Sequence, residues 1–178
     1  MKRNGKEQQM SWIEQAVYEK ASEKAKKYID ERGVDLSTPN KIAIEMNNAV
    51  VYECVEMNAW SMDDEVKDKV GGRYGDLLET AISVANSSIV CRRYFTRITK
   101  ERYGIDVLGD PDYRSGFDEK DAAVWDFGTQ LAQNIHGISQ DVKDRMKKYF
   151  TTEQIVVLTG MAAVISADNI FESVLEIQ

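Results

Sequence analysis

A chain of 178 residues with 43% hydrophobic content can bury one ordinary core with room for a peripheral element, but not two full domains. Thirty acidic residues against 23 basic ones leave a formal net charge of -7, a balance that disfavours a phosphate backbone, and so nucleic acid, as a partner. Two cysteines, Cys54 and Cys91, are too few for a disulfide framework; with no leader pattern and no run of transmembrane length in the sequence, a cytoplasmic protein without membrane contact is expected.

Proline occurs only at Pro39 and Pro111, and so few breakers suit long helices. The first helix is predicted from Ser11, where Ser-Trp-Ile-Glu reads as a capping box, to about Glu31, closed by Gly33. Its Lys/Glu-rich middle leaves a narrow apolar stripe through Val17, Tyr18, Ala21 and Tyr28, so residues 1–36 are assigned to an N-terminal helical arm and 37–178 to a single helical domain. Thr38-Pro39 starts a second helix, apolar on most sides from Ile42 to Trp60. Ser61-Met62-Asp63-Asp64 restarts a short amphipathic piece, punctuated by Gly71, Gly72 and Gly75.

From Leu77 the apolar residues recur at helical spacing through Leu78, Ala81, Ile82, Ala85 and Ile89 to Tyr103-Gly104. Whether this is one helix or two turns on Asn86-Ser87-Ser88, where Ser88 can cap a new start. Val107 to Gly116 is a loop. Asp118 caps a helix carrying Val124, Phe127, Leu131 and Ile135, and Ser139 caps the next through Val142, Met146 and Tyr149. The box Thr151 to Gln154 opens a last helix running past Phe171 to Leu175, whose β-branched start is long enough to favour a buried helix over a strand. The predicted class is all-α, a helical bundle.

The stretch Asp76-Leu-Leu-Glu-Thr-Ala-Ile-Ser-Val-Ala-Asn-Ser-Ser-Ile-Val-Cys-Arg-Arg-Tyr-Phe95 resembles the active-site signature of the alkylhydroperoxidase D / carboxymuconolactone decarboxylase superfamily. There a Glu is followed twelve residues later by Cys-x-x-Cys and, four beyond, by His. In that frame Asp76 stands at the Glu, Ser88 at the first Cys, Cys91 at the second and Phe95 at the His. Residues 118–177 resemble the family's C-terminal half, with an aromatic, a Ser/Thr cap, an acid, an apolar helix and Asn169 near its end; Ile170 stands where an Arg is usual. The resemblance implies an alkylhydroperoxidase D-like helical bundle and a homo-oligomer, a trimer or a multiple of one.

The same frame removes much of the chemistry. A Ser88-x-x-Cys91 pair cannot form the family's disulfide, and with Phe95 in place of His no imidazole activates Cys91. What the resemblance implies is a diverged relative, with residual single-cysteine peroxide or thiol redox chemistry of an antioxidant, peroxidase-like kind. Its catalytic residues would be Cys91, Ser88 as a hydrogen-bond donor to the sulfur, and Asp76 as a proton partner. The alternative is a catalytically inactive homo-oligomer that binds a small molecule or scaffolds. A third reading, an isomerase or lyase, requires two acids from another helix converging on a cavity beside Cys91.

Each candidate has a plainer reading. If Ser88 caps a helix, Cys91 lies in its first turn, where backbone N–H groups with Arg92 and Arg93 favour a thiolate; otherwise it is a small buried apolar residue. Asp76, after Gly75, reads equally as a helix N-cap. Cys54, among Val50, Val51, Val55 and Met57, is expected in the core. His136 belongs to a helix end, and one His with two scattered Cys gives no metal-ligand set at a standard spacing, so no metal or other cofactor is expected.

Overall fold

The computed structural model describes residues 11–38 and 40–177, and among them all regular structure is helical. The helices are α1 (Glu23–Arg32), α2 (Lys41–Glu45), α3 (Ala49–Tyr52), α4 (Asn58–Lys69), α5 (Gly72–Ala85), α6 (Ile89–Tyr103), α7 (Glu119–Gln133), α8 (Gln140–Tyr149) and α9 (Thr152–Val174), with a π-helical turn at Glu53–Met57 joining α3 to α4. The all-α expectation holds.

Helix α5 is the centre of the bundle and packs against α4, α6, α7 and α9. Every residue from Gly75 to Ser83 is buried, as a helix surrounded by other helices requires. Leu77, Leu78 and Ile82 meet Val124 of α7 and Leu158, Met161 and Ile165 of α9 in one apolar cluster, each large side chain contributing roughly 1.5–3 kcal/mol by leaving water. Gly128 lets α7 approach closely, since a Cβ there would stand 3.1 Å from the Leu78 carbonyl oxygen and the Ala81 Cβ.

A second, smaller cluster of Ala16, Ile29, Met46 and Tyr52 attaches the N-terminal segment to α2 and α3. The amide of Ala16 donates to the carbonyl of Ala43 at 2.8 Å, and the Trp12 indole donates to the carbonyl of Val174 at 3.0 Å. The segment therefore runs back along the end of α9.

Local signals placed several ends correctly. Gly33 ends α1 in the left-handed region at φ 63°, Ser139 caps α8, and the Asp118 and Thr151 side chains cap α7 and α9 as capping boxes. The chain breaks after α5: Ser87 takes φ 57° and α6 starts anew, so the segment from Leu77 to Tyr103 is two helices.

Other expectations are corrected. Ser11 caps no helix, because its hydroxyl donates to the carbonyl of Leu175; α1 starts later, capped by Ser22. The single helix from Ile42 to Trp60 is broken at Asn48, whose side chain accepts from the amides of Val50 and Val51, and then widened by the π turn. No restart occurs at Ser61, which lies inside α4. Pro39, half of the expected Thr38-Pro39 cap, lies outside the described residues; Asn40 is the N-cap of α2. Ile135 lies beyond the end of α7 and is exposed. Helix α9, at 23 residues, is long and apolar enough to cross a membrane by length and composition, against the expectation that no segment is. Its inner face carries Asp168, Asn169 and Glu172, all buried against the protein.

Candidate functional site

A cavity of about 660 Å³ lies beside the N-terminal turn of α6, bounded by α2, the π turn, α4, α5, α6 and α9. Its walls include Tyr52, Trp60, Tyr94 and Phe95, and among its polar groups are Lys41, Glu56, Glu79, Cys91, Asp168 and Glu172. The volume suits a small organic molecule.

Cys91 occupies the first turn of α6 and is buried. The restart at Ser88 is responsible, yet the Ser88 hydroxyl does not cap the helix: it donates to Glu172 Oε2 at 2.5 Å. That oxygen also accepts from the Cys91 amide at 3.2 Å. Glu172 of α9 thus takes the place of an N-cap side chain, satisfying a helix-start amide from across the bundle. Its other oxygen lies 3.1 Å from Cys91 Sγ, and Asp168 Oδ2 lies 3.4 Å from the same sulfur. Asp168 and Glu172 are four residues apart on α9, one turn, so both face α6.

Burial, followed by the charges of Asp168 and Glu172, pushes the Cys91 thiol far above its ordinary range. Cys91 is thus both on a helix start and buried, and burial with the two acids works against the thiolate that the helix start with Arg92 and Arg93 would favour. The two carboxylates sit against the sulfur, and the thiol serves as a hydrogen-bond donor.

On the far side of Asp168, Lys41 collects three acids. Its Nζ lies 2.8 Å from Asp168 Oδ1, 2.7 Å from Glu56 Oε2 and 3.2 Å from Glu45 Oε1. Glu45 is fully enclosed, and burial, partly opposed by Lys41, raises its carboxyl to about 8. Asp168 is raised by burial as well, and Lys41 again opposes the shift. Three carboxyl groups around one ammonium exceed its charge, which favours the protonated form of the enclosed Glu45.

Asp76 caps nothing. It lies within α5, lines the same cavity, and accepts from Arg102 Nη1 at 2.9 and 3.1 Å and from the Tyr103 hydroxyl at 2.6 Å. Phe95 packs in the core and lines the cavity wall. Cys54 lies in the π turn and is exposed, not core. No disulfide joins it to Cys91; both thiols are free. His136 is exposed in the turn after α7.

The sequence reading missed Lys41, Glu45, Glu56, Glu79, Asp168 and Glu172. One signal was present: each is a charged residue set in an otherwise apolar helical stretch, which is costly unless paired. The convergence also gives a donor set that linear spacing could not. Cys91 Sγ and one carboxylate oxygen each from Asp168 and Glu172 all lie within 4.8 Å of one another, and as thiolate plus two carboxylates they could hold a borderline-soft divalent cation such as zinc. Chemically, the arrangement offers a thiol proton, two acids beside it and a cationic lysine behind them. These are the parts an acid–base mechanism needs, and the convergence of two acids beside Cys91 that the isomerase or lyase reading requires is present.

Comparison with known proteins gives no family: no family model matches the chain, and no curated protein matches it.

Proposed function

We propose that this chain is a diverged relative of the alkylhydroperoxidase D-like superfamily that binds a small molecule in the cavity beside Cys91 and performs no dithiol turnover. The single observation that carries this reading is the sulfur of Cys91 held at 3.1 and 3.4 Å from two carboxylates, with a serine hydroxyl at position 88 given to Glu172 instead of a second thiol. The alkylhydroperoxidase D-like type is supported by the break at Ser88, which sets Cys91 on a helix start, and by an apolar last helix with Asn169 buried near its end.

The test is alkylation of the native full chain by iodoacetamide, followed by peptide mass spectrometry. Cys54, being exposed, is the internal reference. A protonated, enclosed thiol is expected to react at least ~100-fold more slowly than Cys54 at pH 7.5, and to match it only in denaturant. Fast labelling of native Cys91 would replace this reading with the second one.

That second reading is single-cysteine peroxide chemistry: Glu172 takes the thiol proton while the sulfur attacks one peroxide oxygen, the O–O bond breaks, and Glu172 returns the proton to the departing alkoxide, giving a sulfenic acid and an alcohol. The 3.1 Å contact to Glu172 favours it. The raised thiol opposes it.

Self-association and a cytoplasmic location belong to the same proposal. Helix α9 presents an outward stripe through Val156, Ala163, Ala167, Ile170 and Val174, about 27 Å of helix without a charge. Exposed apolar surface of that extent favours a partner, and a second copy is the partner that the resemblance implies. Ile170→Lys is expected to shift the chain to a monomer in light scattering without changing its circular dichroism. A monomeric parent chain, or an unchanged mass for the variant, would count against self-association through α9.

A further inference from the structure

The cavity holds more acid than its cations answer. Seven carboxyl side chains line it against three cationic ones, Arg32, Lys41 and Arg102. Lys41 is committed to Asp168, Glu56 and Glu45, Arg102 to Asp76, and Arg32 lies over the Trp60 ring at 4.8 Å. Glu79 remains. It is 4% exposed on the cavity-facing side of α5, and no hydrogen bond or ion pair reaches its carboxyl group among the described residues. The charged form of a carboxyl group so enclosed needs a cation or hydrogen-bond donors beside it, and a ligand in the cavity can supply them.

We propose that the cavity takes a small organic amine as its ammonium ion, with Glu79 as the anionic partner and the aromatic walls around the apolar body. This rests on the reading of the cavity as a small-molecule site and names its ligand class. A phosphate or carboxylate ligand would meet a wall already rich in acids. An ammonium meets Glu79, and Tyr52, Trp60, Tyr94 and Phe95 line the same space around its apolar body. A purely apolar ligand would leave Glu79 as unsatisfied as before.

Enclosure favours the protonated form of Glu79 in the free site. Burial is the main cause that raises Glu79 well above the glutamate range; Asp63 of α4 and Asp76 of its own helix add to it, and Lys67 of α4 and Arg102 of α6 oppose it. Ammonium binding then exchanges the carboxyl proton for the ligand's charge: R–NH3⁺ enters, Glu79 ionises, and one proton leaves to solvent. Affinity therefore rises with pH until Glu79 is ionised in the free protein, and falls again when the amine itself loses its proton.

The experiment is calorimetric titration of the full chain with three probes of one shape, benzylammonium, benzyl alcohol and benzoate, at pH 6, 7 and 8 in two buffers of different ionisation enthalpy. Benzylammonium is expected to bind at least ~10-fold tighter than the alcohol, to release protons on binding, and to tighten as pH rises across the series. Glu79→Gln is expected to lose at least ~10-fold for benzylammonium, abolish the proton release and leave the alcohol unchanged. Equal binding of ammonium and alcohol, or a folded Glu79→Gln protein with undiminished ammonium affinity, would overturn the assignment while leaving a small-molecule site intact. If none of the three binds, the small-molecule reading fails with it. Should Glu79→Gln not fold, the proton count and pH series on the parent chain decide alone.

Discussion

Replacing Lys41 by methionine is expected to destabilise the protein by ~3–5 kcal/mol at pH 8, the range found when one partner of a buried ion pair is removed and the other left behind. For a chain of this length that is a fall in Tm of roughly 6–20 °C. The size follows from the geometry: Lys41 is mostly buried and is the shared partner of Glu45, Glu56 and Asp168, which come from α2, the π turn and α9. Removing it leaves a knot of carboxylates joining three elements with no cation between them. Protons can substitute, so the loss should shrink toward pH 5, where protonation of the carboxylates removes the charge that the ammonium balances. Urea denaturation of Lys41→Met and the parent at pH 5 and pH 8 checks both statements. A deficit under 1 kcal/mol at pH 8, or one that grows toward pH 5, would show that Lys41 does not hold this centre together.

The parent protein should itself lose stability as pH rises from about 4.5 to about 8, contrary to the usual acid sensitivity of proteins. Glu45 is raised to about 8, Asp168 is raised, and Glu79 is raised well above its ordinary range. Between the unfolded and folded values each such acid binds more protons when folded, so the slope of unfolding free energy against pH is negative, by at most ~1.4 kcal/mol per pH unit for each group. The contribution is whole below the unfolded value and gone once pH passes the folded one. Lys41, also raised, titrates far above this window and adds nothing to it. Asp35, Glu53, Asp106 and Glu119 are lowered and act in the opposite sense, below about pH 4.5, but all are at the surface, where solvent reduces such effects. Denaturation midpoints at pH 5, 6.5 and 8 should decline in order, and Glu45→Gln should flatten the decline. Midpoints that climb from pH 5 to 8 would refute the protonated acids.

How far the sequence disclosed this arrangement depended on whether the deciding interaction was local. Gly33, Asp118, Ser139 and Thr151 act within one turn of themselves, and their effect could be read directly. The Ser11 box failed because a better acceptor, the Leu175 carbonyl, is supplied from the other end of the chain. The buried stretch from Ile42 to Trp60 concealed its breaks because apolar content marks burial, not helical continuity; the Asn48 cap was the available clue. The site divided in the same way. Cys91 and Asp76, singled out within one segment of sequence, line the cavity, and Ser88 donates to Glu172, which lines it too. Glu172 and Asp168 meet Cys91 across 81 and 77 residues of chain, a distance no spacing rule spans. Their intrusion into an apolar helix was the only trace they left.

Helix α9 has two unlike faces. Asp168 and Glu172 on one side grip the sulfur and the lysine, while Ile170 and Val174 between and beyond them look outward. A rigid rod cannot move one side alone, so whatever docks on the outer stripe and rolls or slides the rod also resets the grip. By reciprocity, a molecule filling the cavity must strengthen or weaken that docking by the same factor. Occupancy inside and assembly outside would then be read from one another, with a single helix as the lever.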